Sequence, residues 1–487
     1  MKSLLALVFV FVTADEGTGA AERAACVGDC SSDGVVAVNE LVIGINIALG
    51  NLALSACPQF DRDGNSTVGI SELVGAVGSL LEGCESVGGS LRIEPVGGEF
   101  RVSAGTTGDR TDSQVAIDAD GGFVAIWGAT QTDVDDFGLG GRRFHADGMP
   151  ATPSDFAVNV FTLDAQRTQD VAMQPDGSFF AVWETSGIRI DDADPQAGIY
   201  GRRFGTDGAP SGPDFKVNTF NEYREDQPSI APLTDGGYFV AWTDRQNLIA
   251  GSVGVVGQRF GAAGQPIGEE FSVNAYTEGP QDQPAVAALP EGGFVIVWQD
   301  GYRDGFSGGI FGQRFDGSSQ RVGGEFLVNT YTFSQQRFPA VAAAVDGSFL
   351  VAWASILVND EQVVARHFDR NGAPTGDEFQ VNAVAELGQQ SYPSVAAAPD
   401  GGYLVAWESG GSIGPFNIYA QQIDHTGALV NQEFQVNTFT SNLLSRTFPE
   451  VAVNAAGDTI IVWEAQGQDG GTSGDVTIRG QRYRLIQ

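Results

Sequence analysis

The stretch Asp400-Gly-Gly-Tyr-Leu-Val-Ala-Trp407 decides the fold of this chain. A variant of it ends at every tryptophan in the sequence, and successive copies lie 54 to 59 residues apart. A period of this length, built from strand-like phrases, is typical of β-propellers and repeat arrays. The seven tryptophans are Trp127, Trp183, Trp242, Trp298, Trp353, Trp407 and Trp463.

Each full repeat contains four strand-like phrases. In the clearest copy they lie at 393–398, 403–407, 418–423 and 433–437, with an Asp-Gly-Gly turn at 400–402. Asp-Gly between two apolar runs favours a tight hairpin, because glycine accepts positive φ. The first phrase is rich in alanine and valine and suits the crowded strand nearest a propeller axis. The tryptophan phrase supplies bulk further out.

The two ends of the repeat region complement each other. The last repeat ends at Tyr483 without the Phe-x-Val-Asn phrase that closes the other repeats, while a matching phrase, 100–103, stands alone before the first repeat. We therefore predict a mainly β chain, with a seven-bladed β-propeller over 99–487 closed by its N-terminal strand. Closure removes exposed sheet edges. The alternatives are an open β-solenoid or a pair of smaller propellers.

The N-terminus has the pattern of an export signal. Lys2 precedes an apolar run at 3–12, and Val-Thr-Ala at 12–14 is a small-residue cleavage site. We predict a signal peptide over 1–14, linkers over 15–25 and 85–98, and a secreted protein that is extracellular or on the cell surface. The alternative for the apolar run is a short buried strand. The apolar run at 3–12 is too short to span a bilayer, and we expect no stable membrane span.

Cysteine is confined to one segment. Cys26, Cys30, Cys57 and Cys84 lie within 59 residues, and the repeats contain none. An even number in a small exported segment predicts two disulfides, with three pairings possible. The alternative is a thiolate metal site, although no histidine or C-x-x-C pattern accompanies the four residues.

The same segment, 26–84, contains two copies of a calcium-loop pattern, at 29–40 and 61–72. Calcium takes six to eight oxygen ligands from a curled chain. Both copies supply oxygen at loop positions 1, 3, 5, 7 and 12, and each runs into an apolar pattern of helical period. Ser66 replaces the usual glycine at position 6 of the second copy. The candidate ligands are Asp29, Ser31, Asp33, Val35 (carbonyl), Glu40, Asp61, Asp63, Asn65, Thr67 (carbonyl) and Glu72.

These paired loops resemble the dockerin and EF-hand group of calcium modules. The resemblance implies a small α-helical module over 26–84 that binds Ca²⁺ through those ten residues, and a cohesin-like scaffold as partner. Four cysteines and a glutamate closing each loop depart from the dockerin pattern, which weakens the cohesin assignment more than the metal assignment. Separately, the propeller phrases resemble repeats of bacterial secreted, surface-associated proteins, which implies an extracellular propeller and no particular reaction.

Charge narrows the range of partners. The chain has 61 acidic and 26 basic residues, a formal net charge of −35. This repels phosphate backbones and anionic membrane surfaces, so we expect no nucleic-acid partner. The sequence contains no P-loop, nucleophile elbow, zinc-ligand pattern or dinucleotide fingerprint.

Three groups of propeller residues are candidates for a site. A glutamate follows the tryptophan in three repeats, where paired carboxylates would suit glycoside chemistry, although we favour a solvated strand end. The recurring arginines suggest an anion site or, as we favour, a structural partner for an acidic residue near the Phe-x-Val-Asn phrase. We expect the histidines to be exposed. These groups are Glu184, Glu408 and Glu464; Arg143, Arg203, Arg259, Arg314 and Arg482; and His145, His367 and His425.

From the sequence we predict a secreted calcium-binding protein whose propeller is noncatalytic and binds an extracellular glycan or protein, and we favour the absence of enzymatic activity. An enzyme on a symmetric scaffold would break the repeat with unique polar residues, whereas this chain breaks it mainly by loop length. The alternative is an exported carbohydrate-active enzyme that degrades polysaccharide and is anchored through its dockerin-like module. A structural surface component is a third possibility.

Overall fold

The structure is a computed structural model, and it is mainly β. Over the described residues the chain divides into two compact units, one up to Leu91 and one over Arg92–Ile486. No helix among these residues is long and apolar enough to cross a membrane. The structure describes residues 30, 38–60, 67–68, 73, 76, 91–105, 108–130, 137–162, 165–186, 198–219, 224–245, 253–305, 308–357, 360–383, 388–411, 415–440, 444–468 and 475–486.

The first unit contains helix α1 (Val38–Ala48) and two 3₁₀ turns, Leu54–Ala56 and Pro58–Phe60. The helix begins where the sequence predicts one, at the end of the segment 29–40 that we predict as a calcium loop. A disulfide joins Cys30 to Cys57, which is one of the pairings left open above. Cys26 and Cys84 lie outside the described residues.

The buried face of α1 differs from the predicted one. The apolar pattern that follows the first loop predicts a helix stripe that includes Val42, Ile45 and Leu49 and packs on the helix after the second loop, yet these three residues are exposed. The helix instead buries Gly44 and Ile47, because the Phe60 ring lies so close that a Cβ at Gly44 would stand 2.2 Å from it. The stripe prediction is therefore wrong for these three residues.

The second unit consists of four sets of strands that recur with the tryptophan period. Along these strands, successive side chains point to opposite faces of the sheet, and some strands are buried on both faces. The innermost strands are β2 (Arg110–Ile117), β6 (Gln166–Met173), β10 (Glu225–Pro232), β14 (Gln281–Ala288), β18 (Gln336–Ala343), β22 (Gly388–Ala397) and β26 (Arg446–Val453). The tryptophan-bearing strands are β3 (Phe123–Thr130), β7 (Phe179–Thr185), β11 (Tyr238–Asp244), β15 (Phe294–Asp300), β19 (Phe349–Leu357), β23 (Tyr403–Gly411) and β27 (Asp458–Gln466).

Two further sets complete each sheet on its outer side. The third strands are β4 (Phe137–Phe144), β8 (Gly198–Phe204), β12 (Gly254–Phe260), β16 (Gly309–Phe315), β20 (Asp360–Phe368), β24 (Asn417–Ile423) and β28 (Val476–Ile486). The outer strands are β1 (Arg92–Arg101), β5 (Phe156–Ala157), β9 (Phe215–Lys216), β13 (Pro266–Ser272), β17 (Arg321–Leu327), β21 (Phe379–Gln380) and β25 (Leu429–Gln435).

The strands form five separate four-stranded sheets and one eight-stranded sheet. The eight-stranded sheet is two antiparallel groups of four joined by a single parallel bridge, Glu361 to Gln389. Hairpin turns link the strands in order, and Gly401 at one of them has φ +87°, as the Asp-Gly pattern predicts. This arrangement of radial sheets is a multi-bladed β-propeller.

The N-terminal strand β1 pairs with the C-terminal strand β28, Phe100 opposite Gly480, as predicted. It begins at Arg92, so part of the segment predicted as a linker is a strand. Each innermost strand contacts the next, and β26 contacts β2, which returns the ring to its start. Backbone N–H groups reinforce this ring by donating to a carboxylate on the following sheet, for example Thr438 N to Glu99 at 2.9 Å.

All seven tryptophans are at most 1% exposed. Each lies between two sheets; Trp127, for example, packs with Ile460 and Val462 of the C-terminal sheet. A side chain of this size buries about 150–250 Å², worth roughly 4–6 kcal/mol as an upper value. The tryptophans therefore stabilise the contacts between sheets and are not available to stack on a ligand.

Candidate functional site

A ring of strained residues marks one mouth of the propeller. Every innermost strand has a bulge at which a residue other than glycine adopts positive φ, between 44° and 56°. Such a conformation costs on the order of 1–2 kcal/mol per residue and is concentrated at functional sites. We call these seven residues the mouth ring: Asp112, Thr168, Gln227, Gln283, Phe338, Tyr392 and Phe448.

Side chains of neighbouring sheets hold the mouth ring in place. Glu464 accepts a hydrogen bond from the backbone N–H of Asp112 at 2.7 Å, and Glu408 accepts one from Phe448 N at 3.1 Å. Gln283 Oε1 accepts from Phe338 N at 3.3 Å. Bonds across sheets of this kind satisfy backbone donors that the bulges remove from the strand ladders.

The mouth ring opens onto a cavity of about 310 Å³, which we call the mouth cavity. This volume is at the small end of the range for ligand pockets. Below it the innermost strands enclose a second space of about 470 Å³ along the axis, the axial channel. The alanine- and valine-rich strands thus line the axis, as predicted.

A third space, the side cleft, adjoins the mouth cavity at Asp112 and Phe448 and has a volume of about 240 Å³. Glu464 and Arg167 also line it. Burial raises the pKa of Glu464 to about 8; the Asp112 N–H bond opposes this rise, and the charges of Asp112 and Glu408 add to it. Glu464 is therefore mostly protonated at neutral pH. In the side cleft, the carboxylic acid of Glu464, which can donate a proton, lies beside a second carboxyl group, that of Asp112.

Asp112 is more exposed to solvent than Glu464 and faces a cation. Burial raises its pKa from the usual value, and the charge of Arg167 lowers it. The Arg167 guanidinium lies 4.8 Å from the centre of the Phe137 ring, which fixes the arginine at the edge of the cleft. Burial raises the pKa of both carboxyl groups, and for Asp112 the charge of Arg167 opposes the rise; two carboxyl groups in different environments are the arrangement that acid–base catalysis needs.

Two further acids lie in the axial channel. Burial raises the pKa of Asp170 to about 6, with bonds from Ile230 N and Val171 N opposing the rise. Burial also raises the pKa of Glu450 to about 8, although Glu450 accepts a hydrogen bond from Ser394 Oγ at 2.7 Å. Glu450 lines both the channel and the mouth cavity.

The three glutamates singled out in the sequence are buried, with 3–6% exposure, so the expectation of a solvated strand end is wrong. Neighbouring sheets cover these strand ends. Glu464 lines the side cleft, as the carboxylate hypothesis requires. Glu408 caps Phe448, and Glu184 accepts hydrogen bonds from Thr168 Oγ1 at 3.1 Å and from Arg224 at 2.8 Å; neither lines the cavities described above.

The recurring arginines have structural partners, as predicted, but at a different place. Arg259 pairs with Asp235 at 2.6 Å and Arg143 with Asp118 at 3.5 Å, at the hairpin turns that precede the tryptophan strands. The acidic residues near the Phe-x-Val-Asn phrases instead cap backbone N–H groups of the preceding sheet, as Glu270 does for Thr219 at 2.7 Å.

One histidine prediction is wrong. His145 and His425 are exposed, but His367 is only 6% exposed, because the hairpin turn at Gly427 packs against it. Its Nδ1 lies 2.9 Å from Thr375 Oγ1, and its ring contacts Tyr403 edge-on. His367 is therefore a core residue of the propeller.

Most of the predicted calcium ligands lie outside the described residues. Glu40 is in the first turn of α1 and is 4% exposed, while Thr67 is exposed. Within the part of the chain that the structure describes, no three His, Cys, Asp or Glu residues group as metal ligands. The ligands outside it are Asp29, Ser31, Asp33, Val35, Asp61, Asp63, Asn65 and Glu72.

We did not predict the mouth ring from the sequence, although the sequence contains a signal for it. Each of its members lies fifteen residues before a tryptophan, as Asp112 lies before Trp127. Aligning the repeats on tryptophan would have shown one column that holds acidic, amide, hydroxyl and aromatic residues. The repeats therefore differ from one another in the chemical type of their mouth-ring residue, and not mainly in loop length.

Comparison with known proteins gives a fold but no family. No protein-family model matches the chain. No curated protein matches it either. Among solved structures, an ulvan lyase of a new polysaccharide lyase family, bound to -[GlcA(1-4)Rha3S]-, has TM-score 0.52 at 7% identity, covering 81% of this chain and 96% of that chain. A second structure of an ulvan lyase of this new polysaccharide lyase family has TM-score 0.51 at 8% identity, with the same coverage.

A further match is the α-L-arabinofuranosidase of Fusarium graminearum with an iminosugar inhibitor, at TM-score 0.44 and 11% identity over 80% of this chain and 98% of that chain. At these identities the likeness to the ulvan lyase shows a shared fold alone. Our prediction that the propeller is noncatalytic is corrected at this point, because a polysaccharide lyase shares the fold and the side cleft holds two carboxyl groups with raised pKa values.

Proposed function

We propose that this protein is an exported carbohydrate-active enzyme that cleaves polysaccharide at the mouth of its propeller. The observation that carries the proposal is the side cleft, where Glu464 and Asp112 lie beside Arg167 and adjoin the mouth cavity. The strain of the mouth ring supports it, because a fold maintains such strain where it serves a site.

In this proposal the scaffold is a seven-bladed propeller. Each tryptophan strand belongs to one blade, and β1 completes the last of them. One parallel bridge between β20 and β22 is too little to merge two blades into one structural element. The seven members of the mouth ring, one per blade, then surround a single axial opening.

Glu464 is the proton donor in the proposed reaction. It is protonated at neutral pH because burial favours the neutral acid. One of its oxygens accepts the Asp112 N–H bond, and this bond fixes the orientation of the carboxyl group. Protonation of the glycosidic oxygen makes the departing sugar a better leaving group.

Asp112 is the second carboxyl group of the reaction. Arg167 opposes the effect of burial and favours its ionised form, which stabilises the positive charge that develops on the sugar ring when the glycosidic bond breaks. A water molecule then adds to that ring carbon and gives a proton back to Glu464, which completes hydrolysis. Asp112 lines both the mouth cavity and the side cleft. The two carboxyl groups thereby divide the roles of acid and electrostatic stabiliser.

The N-terminal module is proposed to bind Ca²⁺ through the two predicted loops. Glu40 lies buried in the first turn of α1, at the position of the closing ligand of the first predicted loop. Calcium would neutralise the loop carboxylates and hold the loops in their folded form.

We also propose that the protein is secreted and that the module anchors it to an extracellular scaffold. The Cys30–Cys57 disulfide suits an oxidising compartment. The exposed stripe of Val42, Ile45 and Leu49 on α1 offers an apolar surface for a partner. A cohesin-like domain remains the partner that the sequence resemblance implies.

The test is cleavage of a panel of polysaccharides, followed by release of reducing ends. Wild type should cleave at least one of them, and Glu464→Gln should lose about 10²–10⁴-fold in kcat/KM because it cannot donate the proton. Glutamine still accepts the Asp112 N–H bond, so the fold is retained. The matched control is Glu408→Gln, a buried cap at the equivalent position of the preceding sheet. Equal activity in Glu464→Gln and Glu408→Gln would overturn the proposal.

A further inference from the structure

The strongly exposed aromatic side chains of the propeller lie on one face. Among the described residues there are four of them, and all four lie on loops at the end of the sheets that carries the mouth ring. At the opposite end, the exposed apolar side chains that the structure describes are aliphatic, for example Met149 and Val345. The four aromatic residues are Tyr302, Tyr331, Phe333 and Phe439, with exposures of 67%, 39%, 71% and 44%.

Three of them lie on two adjacent loops, and we call these three the aromatic platform: Tyr302, Tyr331 and Phe333. Tyr302 lies between β15 and β16, and the other two lie between β17 and β18. The loops meet where the N–H of Gln336 donates to the Gly308 carbonyl at 3.0 Å. The ring centroids of Tyr331 and Phe333 are 6.0 Å apart, with planes inclined at 50°.

Hydrogen bonds hold the backbone that carries the platform. Asp300 accepts from the N–H of Tyr302 at 3.3 Å, and Glu378 accepts from the N–H of Tyr331 at 3.2 Å. The Tyr302 ring lies against Gly279, so close that a Cβ there would stand 2.9 Å from it. The chain therefore supports one side of this ring while most of its surface stays open to solvent. A surface fixed in this way loses little conformational freedom when it binds a ligand.

The chemistry of the platform suits sugars. Exposed aromatic rings grouped on one face mark a binding surface. The other exposed residues described on these two loops are Gly305, Thr330 and Gln335, and no exposed aliphatic side chain lies among them. A sugar has an apolar C–H face that can cover an aromatic ring and a rim of hydroxyl groups that can bond to hydroxyl and amide neighbours.

The platform lies across the mouth from the side cleft. The cleft adjoins the mouth ring at Phe448 and Asp112, whereas the platform precedes Phe338 on the opposite side of the ring. Phe333 and Phe338 are five residues apart, at most about 18 Å of extended chain. A polysaccharide that places one bond in the cleft and crosses the mouth therefore reaches the platform with sugars further along its chain.

We infer that the aromatic platform is a second binding site for the polysaccharide, where sugars distant from the cleaved bond stack on Tyr302 and Phe333. This inference rests on the proposed function and adds a binding site for the chain of the same substrate. The platform binds the substrate equally before and during the reaction, because the rings do not touch the bond that breaks. It therefore contributes to affinity for long chains and leaves the chemical step unchanged.

The experiment compares long and short substrates with the full chain carrying Tyr302→Ala and Phe333→Ala together. The polymers are arabinan, xylan, galactomannan, polygalacturonate and sulfated galactan, and the short substrate is the shortest oligosaccharide that wild type cleaves. On the polymer, KM should rise about tenfold with kcat unchanged, and on the short substrate neither should change. The double variant Tyr302→Phe and Phe333→Tyr keeps both rings and should retain the wild-type KM. Val345→Ala, on the opposite face, is the matched control.

Binding is measured separately by the retardation of the Glu464→Gln protein in native gels that contain each polymer. At least one polymer should retard this protein, and adding Tyr302→Ala and Phe333→Ala should remove most of the retardation. A protein that cleaves a polymer with the same KM in the presence and absence of the two rings would overturn the inference and leave the proposed function intact.

An equal rise of KM on the polymer and on the shortest substrate would also overturn the inference, because the rings would then act at the cleft. So would a wild-type dimer that becomes monomeric in Phe333→Ala, since a second copy would then cover the platform. Conversely, retardation that depends on the platform in a protein that cleaves none of the polymers would support the inference and overturn the proposed function. Neither cleavage nor retardation with any of the polymers would count against both.

Discussion

Replacing Glu450 with glutamine should change how the stability of the propeller depends on pH. Burial raises the pKa of this carboxyl group from 4.5 to about 8 in the folded protein. A raised pKa stabilises the fold fully below the unfolded value of 4.5, and this stabilisation is lost as pH rises through about 8. In that window the unfolded chain carries the charged carboxylate while the folded chain holds the proton. Glutamine has similar size, retains an acceptor for Ser394 Oγ and does not ionise.

Each pKa unit corresponds to about 1.4 kcal/mol, so the full effect between pH 5 and pH 8 would be about 3.5 kcal/mol. Glu450 lines two cavities open to solvent, whose screening reduces this figure, and we expect about 2–3 kcal/mol. The measurement is the free energy of unfolding from urea titrations at pH 5, 6, 7 and 8. Glu450→Gln should gain that amount relative to wild type across the series.

The control is Glu94→Gln, which removes an exposed carboxylate from the outer strand β1. This variant should follow the wild-type pH dependence. A difference between Glu450→Gln and wild type that stays within about 0.5 kcal/mol from pH 5 to pH 8 would refute the reasoning, because Glu450 would then ionise in the folded protein as it does in water.

Three other predictions follow from the same structure. Trp298→Ala should cost about 3–5 kcal/mol in urea titrations, because Trp298 is fully buried between two sheets, and a loss below about 1 kcal/mol would contradict the packing. Glu99→Ala should lower stability by about 1 kcal/mol by removing the acceptor of Thr438 N, with Glu94→Ala as the control; equal stabilities would show that this contact does not help to close the ring. Chelation of Ca²⁺ should lower the melting temperature of the N-terminal module and leave the propeller transition in place; an unchanged melt of protein shown to be calcium-loaded would count against the proposed ions.

The scaffold was largely predictable from the sequence because its signals are local and repeated. The tryptophan period identifies the radial sheets, and the lone phrase at 100–103 predicts the pairing of β1 with β28. Hairpin turns such as that at Gly401 need a particular backbone conformation that the Asp-Gly pattern reveals. These features depend on residues close together in the chain or on the pattern of the whole repeat.

The site was less predictable because it depends on contacts between sheets. Glu464 follows a tryptophan at a strand end, and the sequence does not show that Asp112, 352 residues away, covers it and binds it. The covering makes Glu464 an acid with a raised pKa instead of a solvated carboxylate. His367 shows the same effect, since the turn of the next repeat at Gly427 buries it. Residues close in the sequence determine the strand in which such a residue lies, whereas residues close in space determine its burial and its pKa.

In the proposed reaction, Glu464 donates a proton to a glycosidic bond at the propeller mouth. This role is tested by the pH dependence of kcat/KM for wild-type cleavage of a polysaccharide that the protein degrades. We expect kcat/KM to fall above pH about 8, where Glu464 loses its proton, whereas the small remaining rate of Glu464→Gln should show no such fall. A wild-type rate that stays constant or rises between pH 7 and pH 10, or the same alkaline fall in Glu464→Gln, would contradict it.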